Sequence, residues 1–309
     1  MHLNAEGLSE DVWGDIIDLH FPDGDGYIAV LRAYVDASHR EESGLFSVSA
    51  YLFESRRVRR FRQVWRDTFG YKTFSWADLI ARTGQFKHLR GRENNTEHTR
   101  LVAAGVSLVR EYSIAGVILS CWQQDVENFS PRWIRGFGHA YSIGCHVSMA
   151  AMGRWAKRNN YRGGIAYVLE AGDDYSGEAN DLLSYAAKIP EAADQYQWTS
   201  HSFVPKDVAS PFHAPDLLAW EWGKFMTESV LEKKRPMRMS LAKLLVDRLD
   251  RYSLHHLSGD PLMRYFNQLS SLGAEQIQEE RDALSSASEM DLGEAVRVSP
   301  RSERDGDPE

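Results

Sequence analysis

The stretch YIAVLRAYVDASHREESGLFSVSAYLF, residues 27–53, decides how the fold is read. Two runs rich in β-branched and aromatic residues, Tyr27–Asp36 and Leu45–Phe53, flank a polar segment that ends in Gly44. Runs of that length and composition around a turn predict a β-hairpin. Short, nearly continuous apolar runs of this kind suit strands buried on both faces.

Three more runs follow: Ile114–Trp122, Ile165–Glu170 after Gly163 and Gly164, and Gln197–Val204. Helical periodicity lies between them. Ser55–Phe69 carries Val58, Phe61, Trp65 and Phe69 on one stripe, and Glu97–Tyr112, Phe137–Asn159, Gly177–Lys188 and Phe212–Leu231 complete the set. Two strands, a helical insert and then βαβαβα predict a mixed sheet. The long helix before Ile165 lets that strand lie parallel to, and beside, the first. This is the strand–helix order of RNase H-like folds. The expected architecture is therefore α/β: a mixed five-stranded sheet flanked by helices, with a helical insert over about 54–112. Accessory helices are expected at Ser240–Tyr252 and Pro261–Leu269. The corresponding division is an N-terminal extension (1–26), a main domain (27–234), accessory helices (235–273) and an acidic, disordered tail (274–309).

The 309 residues are 43% hydrophobic and 26% charged, which excludes a collagenous, disulfide-scaffolded or wholly disordered chain. Cys121 and Cys145 lie in apolar segments and fit buried thiols. No basic-then-apolar leader and no run of about 18 apolar residues is visible, so a cytoplasmic location without membrane contact is expected. The net charge is −8, but it is concentrated between Glu275 and Glu309, and the body is close to neutral. An acidic total therefore leaves nucleic acid open as a partner. The oligomeric state is not legible.

Acids stand at telling places in this order. Asp36 ends the first strand in V-D-A-S-H, Glu170 ends the fourth in V-L-E-A-G-D-D, and Asp216 opens the last large helix in H-A-P-D-L-L-A-W. Neighbouring parallel strands lie about 4.8 Å apart, so acids at their carboxyl ends can share a cation. Hard oxygen ligands of this kind suit Mg²⁺ or Mn²⁺, and such a site can hydrolyse a phosphodiester. His39 and His213, each three residues from one of these acids, are candidate auxiliary groups.

These motifs resemble the DUF 3800 family (domain of unknown function) across roughly Tyr27–Phe225. The resemblance implies an RNase H-like fold with a metal-dependent nuclease-type site. By position it implicates Asp36, Ser38, Glu170, Asp173 and Asp216, and F-S-W-A-D-L at Phe74–Leu79 adds Asp78. Two positions depart from the pattern: Ser75 stands where that element has histidine, and Pro215 where the late motif has alanine.

Six arginines crowd Arg56–Arg66. Arg56, Arg59, Arg60, Arg62 and Arg66, with Lys87 and Arg90, form a candidate phosphate-tracking surface. A solvated helix face explains the same residues. The acids also have plainer readings: Asp36 as a turn residue, and Asp216 after Pro215 as a helix-start charge. The sequence thus supports a divalent-metal-dependent nuclease acting on RNA or DNA, or alternatively a non-catalytic RNase H-like protein that binds nucleic acid or another protein.

Overall fold

A computed structural model describes residues 31–40, 42–70, 74–129, 140–161, 163–171, 176–206, 210–228 and 235–271. The hairpin is formed by β1 (Leu31–Arg40) and β2 (Leu45–Glu54). The insert follows as α1 (Ser55–Phe69), α2 (Trp76–Ala81), a 3₁₀ turn (Gly84–Leu89) and α3 (Asn95–Tyr112). Then come β3 (Ser113–Trp122), α4 (Gln123–Phe129), α5 (Ala140–Arg158), β4 (Ile165–Ala171), α6 (Ser176–Lys188), α7 (Pro190–Tyr196) and β5 (Trp198–Pro205). The chain continues through α8 (His213–Met226), α9 (Met239–Leu245), β6 (Tyr252–Leu257) and α10 (Gly259–Ser271).

One six-stranded mixed sheet runs β5-β4-β1-β2-β3-β6. β1 pairs antiparallel with β2 and parallel with β4, as the hairpin and the long crossover helix require. Alternation along the strands makes two cores. Leu31, Ala33 and Val35 face α5, whereas Tyr34 faces the insert and α8. α5 lies across β2 and β3 on the first face; α8 lies across β1 and β2 on the second. Cys121 and Cys145 are buried thiols of the first core.

The sheet departs from the sequence expectation in two ways. β1 does not end at Asp36 but continues to Arg40, because β2 keeps pairing as far as Arg40 opposite Leu45. There is also a sixth strand where only helices were expected. The helix stops at Leu245, the chain turns through Asp247 in a left-handed conformation, and Tyr252–Leu257 pairs parallel to β3. The apolar spacing of Leu241, Leu244, Leu245 and Leu249 reads as one helix, but Leu249 is largely exposed. Residues 252–257 thus belong to the main sheet rather than to an accessory unit. The N-terminal extension and the acidic tail lie outside the described residues.

Gly153 shows how tightly α5 is seated. A Cβ there would come within 2.2 Å of the Gln195 carbonyl oxygen, at the end of α7. Backbone cannot yield as a side-chain tip can. Gly→Ala inside a helix ordinarily gains about 1 kcal/mol. Gly153→Ala is expected to reverse that sign and lose about 1–3 kcal/mol, as overpacking does. Urea unfolding measures it, and a gain in stability would refute the packing argument.

Candidate functional site

The site follows from strand register. Val35 pairs with Leu169, so the next residues, Asp36 and Glu170, are neighbours. Both follow the alternation of Tyr34 and Val168, which face α8. Glu170 is in turn opposite Val204 of β5, and Lys206 lies two residues beyond Val204 on the same side. From above, α8 supplies Asp216. Its first turn is fixed to the sheet by Ser49, which sits opposite Asp36 on β2 and donates a hydrogen bond to the Pro215 carbonyl at 2.6 Å. Further along, the Arg40 guanidinium donates to the Trp220 carbonyl at 2.9 Å. A Cβ on Gly223 would stand 2.6 Å from Arg40 Nε, so the glycine permits this close approach.

The three acids converge on one ammonium. Lys206 Nζ is 2.8 Å from Asp36 Oδ2, 3.2 Å from Asp216 Oδ1 and 3.7 Å from Glu170 Oε2. Asp216 is held from its other oxygen, Oδ2, which accepts the Trp76 backbone N–H at 2.8 Å. The F-S-W-A-D-L segment therefore reaches the site, but through the first residue of α2 rather than through its aspartate.

Electrostatics make this an unusual cage. Asp36 has no exposed surface, and its Oδ1 has no hydrogen-bond partner. A buried, unsatisfied oxygen costs about 1–3 kcal/mol and calls for an explanation. Burial pushes the Asp36 carboxyl well above its usual range; Lys206 opposes the rise, while the neighbouring Glu170 adds to it. Burial likewise raises Asp216, against Lys206 and the Trp76 N–H. Burial works against the charge on Lys206, but Asp36, Asp216 and Glu170 together outweigh it and raise the ammonium above its usual range. Three acids thus surround a single positive charge.

The donor set, all carboxylate oxygen, suits a hard divalent cation. The spacing is that of an ammonium: N···O contacts run from 2.8 to 3.7 Å, against about 2.0–2.1 Å for Mg²⁺–O. Consistently, among the described residues no group of three or more His, Cys, Asp or Glu side chains is disposed to hold a metal ion.

The other candidates divide. Ser38 is half-buried on the Asp36 face of β1. His39, one residue on, projects from the opposite face, where its exposed ring lies 5.8 Å from Phe46. It cannot join the cage. Asp78 is occupied in its own turn: its Oδ1 accepts the Thr83 hydroxyl at 2.6 Å and its N–H is capped by Ser75. Asp173 lies outside the described residues. Arg56, Arg59, Arg60 and Arg66 are exposed on α1, away from its buried stripe, and Arg62 is half-buried with Nε and Nη2 unpartnered. Lys87 is exposed, and Arg90 donates to the Arg82 carbonyl at 2.9 Å. Lys206 was missed. The signal was present: alternation in S-F-V-P-K places it on the same side as buried Val204.

His213 is the clearest correction. It shares the Asp216 side of α8 in spacing, yet its ring is fully buried, 5.3 Å from Trp65 and 5.2 Å from Phe74. Neither ring nitrogen has a partner. Burial, with help from Lys206, pushes its pKa down to about 3. A neutral ring packed among aromatics is a poor general base. The unfolded chain protonates this histidine near its ordinary value of 6.5, whereas the fold resists until about 3. Its contribution to stability is therefore present above pH 6.5 and is lost as pH falls from there toward 3. His213→Phe removes two unsatisfied nitrogens, so stability at neutral pH should hold or rise, and the acid loss should flatten. Thermal unfolding across that pH range is the check; an unchanged acid profile would show that this ring does not drive it.

No helix of the described residues is long and apolar enough to cross a membrane. No protein-family model matches the chain, and no curated protein matches it.

Proposed function

We propose that this protein is an RNase H-like phosphodiesterase that cleaves RNA or DNA with Mg²⁺ or Mn²⁺ held by Asp36, Glu170 and Asp216. One observation carries the reading: three carboxylates, from β1, β4 and α8, point at a single cation position. The adjacency of β1 and parallel β4, expected of the RNase H-like order, supports it, as does the DUF 3800 resemblance at the same three acids.

A divalent cation bound there would activate the attacking water and stabilise the leaving oxygen. The chain's own residues do the rest. Asp36 is fixed within β1, opposite Ser49 of β2 and one residue past the Val35–Leu169 pair with β4. Asp216 is oriented by the Trp76 N–H, and its helix by Ser49. The unpartnered Asp36 Oδ1 offers a free lone pair in a dry position. The exposed arginines of α1 form a surface suited to phosphates, with contacts that position a strand without reading its sequence. The expected result is Mn²⁺-dependent cleavage of an end-labelled oligonucleotide, lost in Asp36→Asn.

Lys206 favours a second reading. An ammonium already neutralising the acids lets the cage persist as a structural ion cluster in a non-catalytic binding protein. That protein would bind oligonucleotide with a strong salt dependence and take up no Mn²⁺ in calorimetry.

A further inference from the structure

We propose that Lys206 is an internal competitor for the cation position, so that a divalent ion enters the cage only by displacing the lysine ammonium outward. This rests on the metal-site reading above for the identity of the incoming ion.

The geometry carries it. Asp36 Oδ2, Asp216 Oδ1 and Glu170 Oε2 all approach one atom, Lys206 Nζ. A second cation at that centre would sit against the first with no room and strong repulsion, so occupancy is exclusive. The partners also differ in freedom. Asp36 is embedded in β1 between β2 and β4, Glu170 pairs in β4, and Asp216 is tied to the Trp76 N–H. Lys206 follows the last residue of β5, its side chain is 26% exposed, and its ammonium rides on a flexible four-carbon stem. The acids stay; the lysine can leave without disturbing the sheet.

Exclusive occupancy has a quantitative consequence. If the ammonium is out of the cage about one tenth of the time, the apparent metal affinity is lowered about tenfold. The lysine then sets a threshold of divalent ion below which the site stays closed. It also keeps the acids from remaining an uncompensated cluster when no metal is bound.

The test is calorimetric titration of the full-length chain with MnCl₂ near neutral pH, using wild type, Lys206→Met and the double variant Lys206→Met/Asp36→Asn. Lys206→Met should bind Mn²⁺ about tenfold or more tightly than wild type, and the double variant should lose that gain. Equal affinity in wild type and Lys206→Met overturns the competition and leaves the cation site standing. If neither takes up Mn²⁺, the metal-site reading fails and the proposal goes with it. A second measurement needs no variant: reductive methylation of the wild type read by mass spectrometry. Lys206 should be protected without metal and modified faster once Mn²⁺ saturates the protein. An unchanged rate at saturation overturns the proposal, even if Lys206→Met fails to fold.

Discussion

Asp36→Asn should lower Mn²⁺-dependent phosphodiester cleavage by more than about 100-fold, beyond the 10–100-fold that loss of a mere outer-shell partner costs, while thermal unfolding stays near normal. The two halves of this result come from the same environment. Asp36 is wholly buried, and burial already disfavours its charged form. Asparagine has nearly the same shape and no charge to desolvate, so the fold loses one contact to Lys206 and is relieved of an unfavourable anion. The cation position loses its most buried oxygen ligand and one of its negative charges. A structural aspartate would behave the other way, with stability falling and any activity falling only in proportion. Glu170→Gln and Asp216→Asn should follow the same pattern. Glu170 is the most exposed of the three and lies farthest from the ammonium at 3.7 Å, so its substitution should be the mildest. If Asp36→Asn cleaves as wild type does, the acid cage is not the seat of catalysis.

The sequence made the sheet legible where strands are buried on both faces, because runs such as SAYLF and IAYVLE fit little else. It missed β6 for the opposite reason. YSLHHL is half-buried throughout, on a sheet edge, and has neither an apolar run nor clean alternation. The acids were legible by pattern: Asp36 and Glu170 each close an apolar run that reads as a buried strand, although Asp36 lies within β1 and not at its end. The auxiliary groups were not, because residue type says nothing about face. His39 and Asp36 are three apart in a strand, which is an odd number and sends them to opposite faces. His213 and Asp216 are three apart in a helix, which puts them on one side, yet the aromatic cluster of Trp65 and Phe74 captures the imidazole. Lys206 was hidden because a positively charged side chain carries no sign, in sequence, that it belongs to a cation position.

Glu221→Ala should be the most destabilising single change at the helical face of the site, costing about 3–5 kcal/mol and lowering the melting temperature by roughly 10 °C. Glu221 lies on α8 with no exposed surface. Its Oε1 accepts the Trp76 indole N–H at 3.0 Å and the Ser240 hydroxyl at 2.6 Å, and its Oε2 lies 3.1 Å from Arg238 Nε. One carboxylate thus ties α8 to the first residue of α2 and to the start of α9. Truncation leaves an indole N–H and a hydroxyl buried without acceptors, and it strips the Arg238 guanidinium of its counter-charge. Arg238 would keep its position over the Trp220 ring, 5.1 Å away, but as a cation without a carboxylate. Glu221→Gln keeps an acceptor for Trp76 and Ser240 and removes only the charge, so it should cost clearly less than the alanine. The consequence reaches the cage, because the ring that Glu221 pins belongs to the residue whose backbone N–H orients Asp216. Glu221→Ala should therefore weaken Mn²⁺ uptake in calorimetry as well as stability, whereas Glu221→Gln should leave uptake close to wild type. A loss below about 1 kcal/mol, the scale of an exposed ion pair, would mean that solvent reaches this carboxylate, and the coupling from α8 through Trp76 to Asp216 would have to be abandoned.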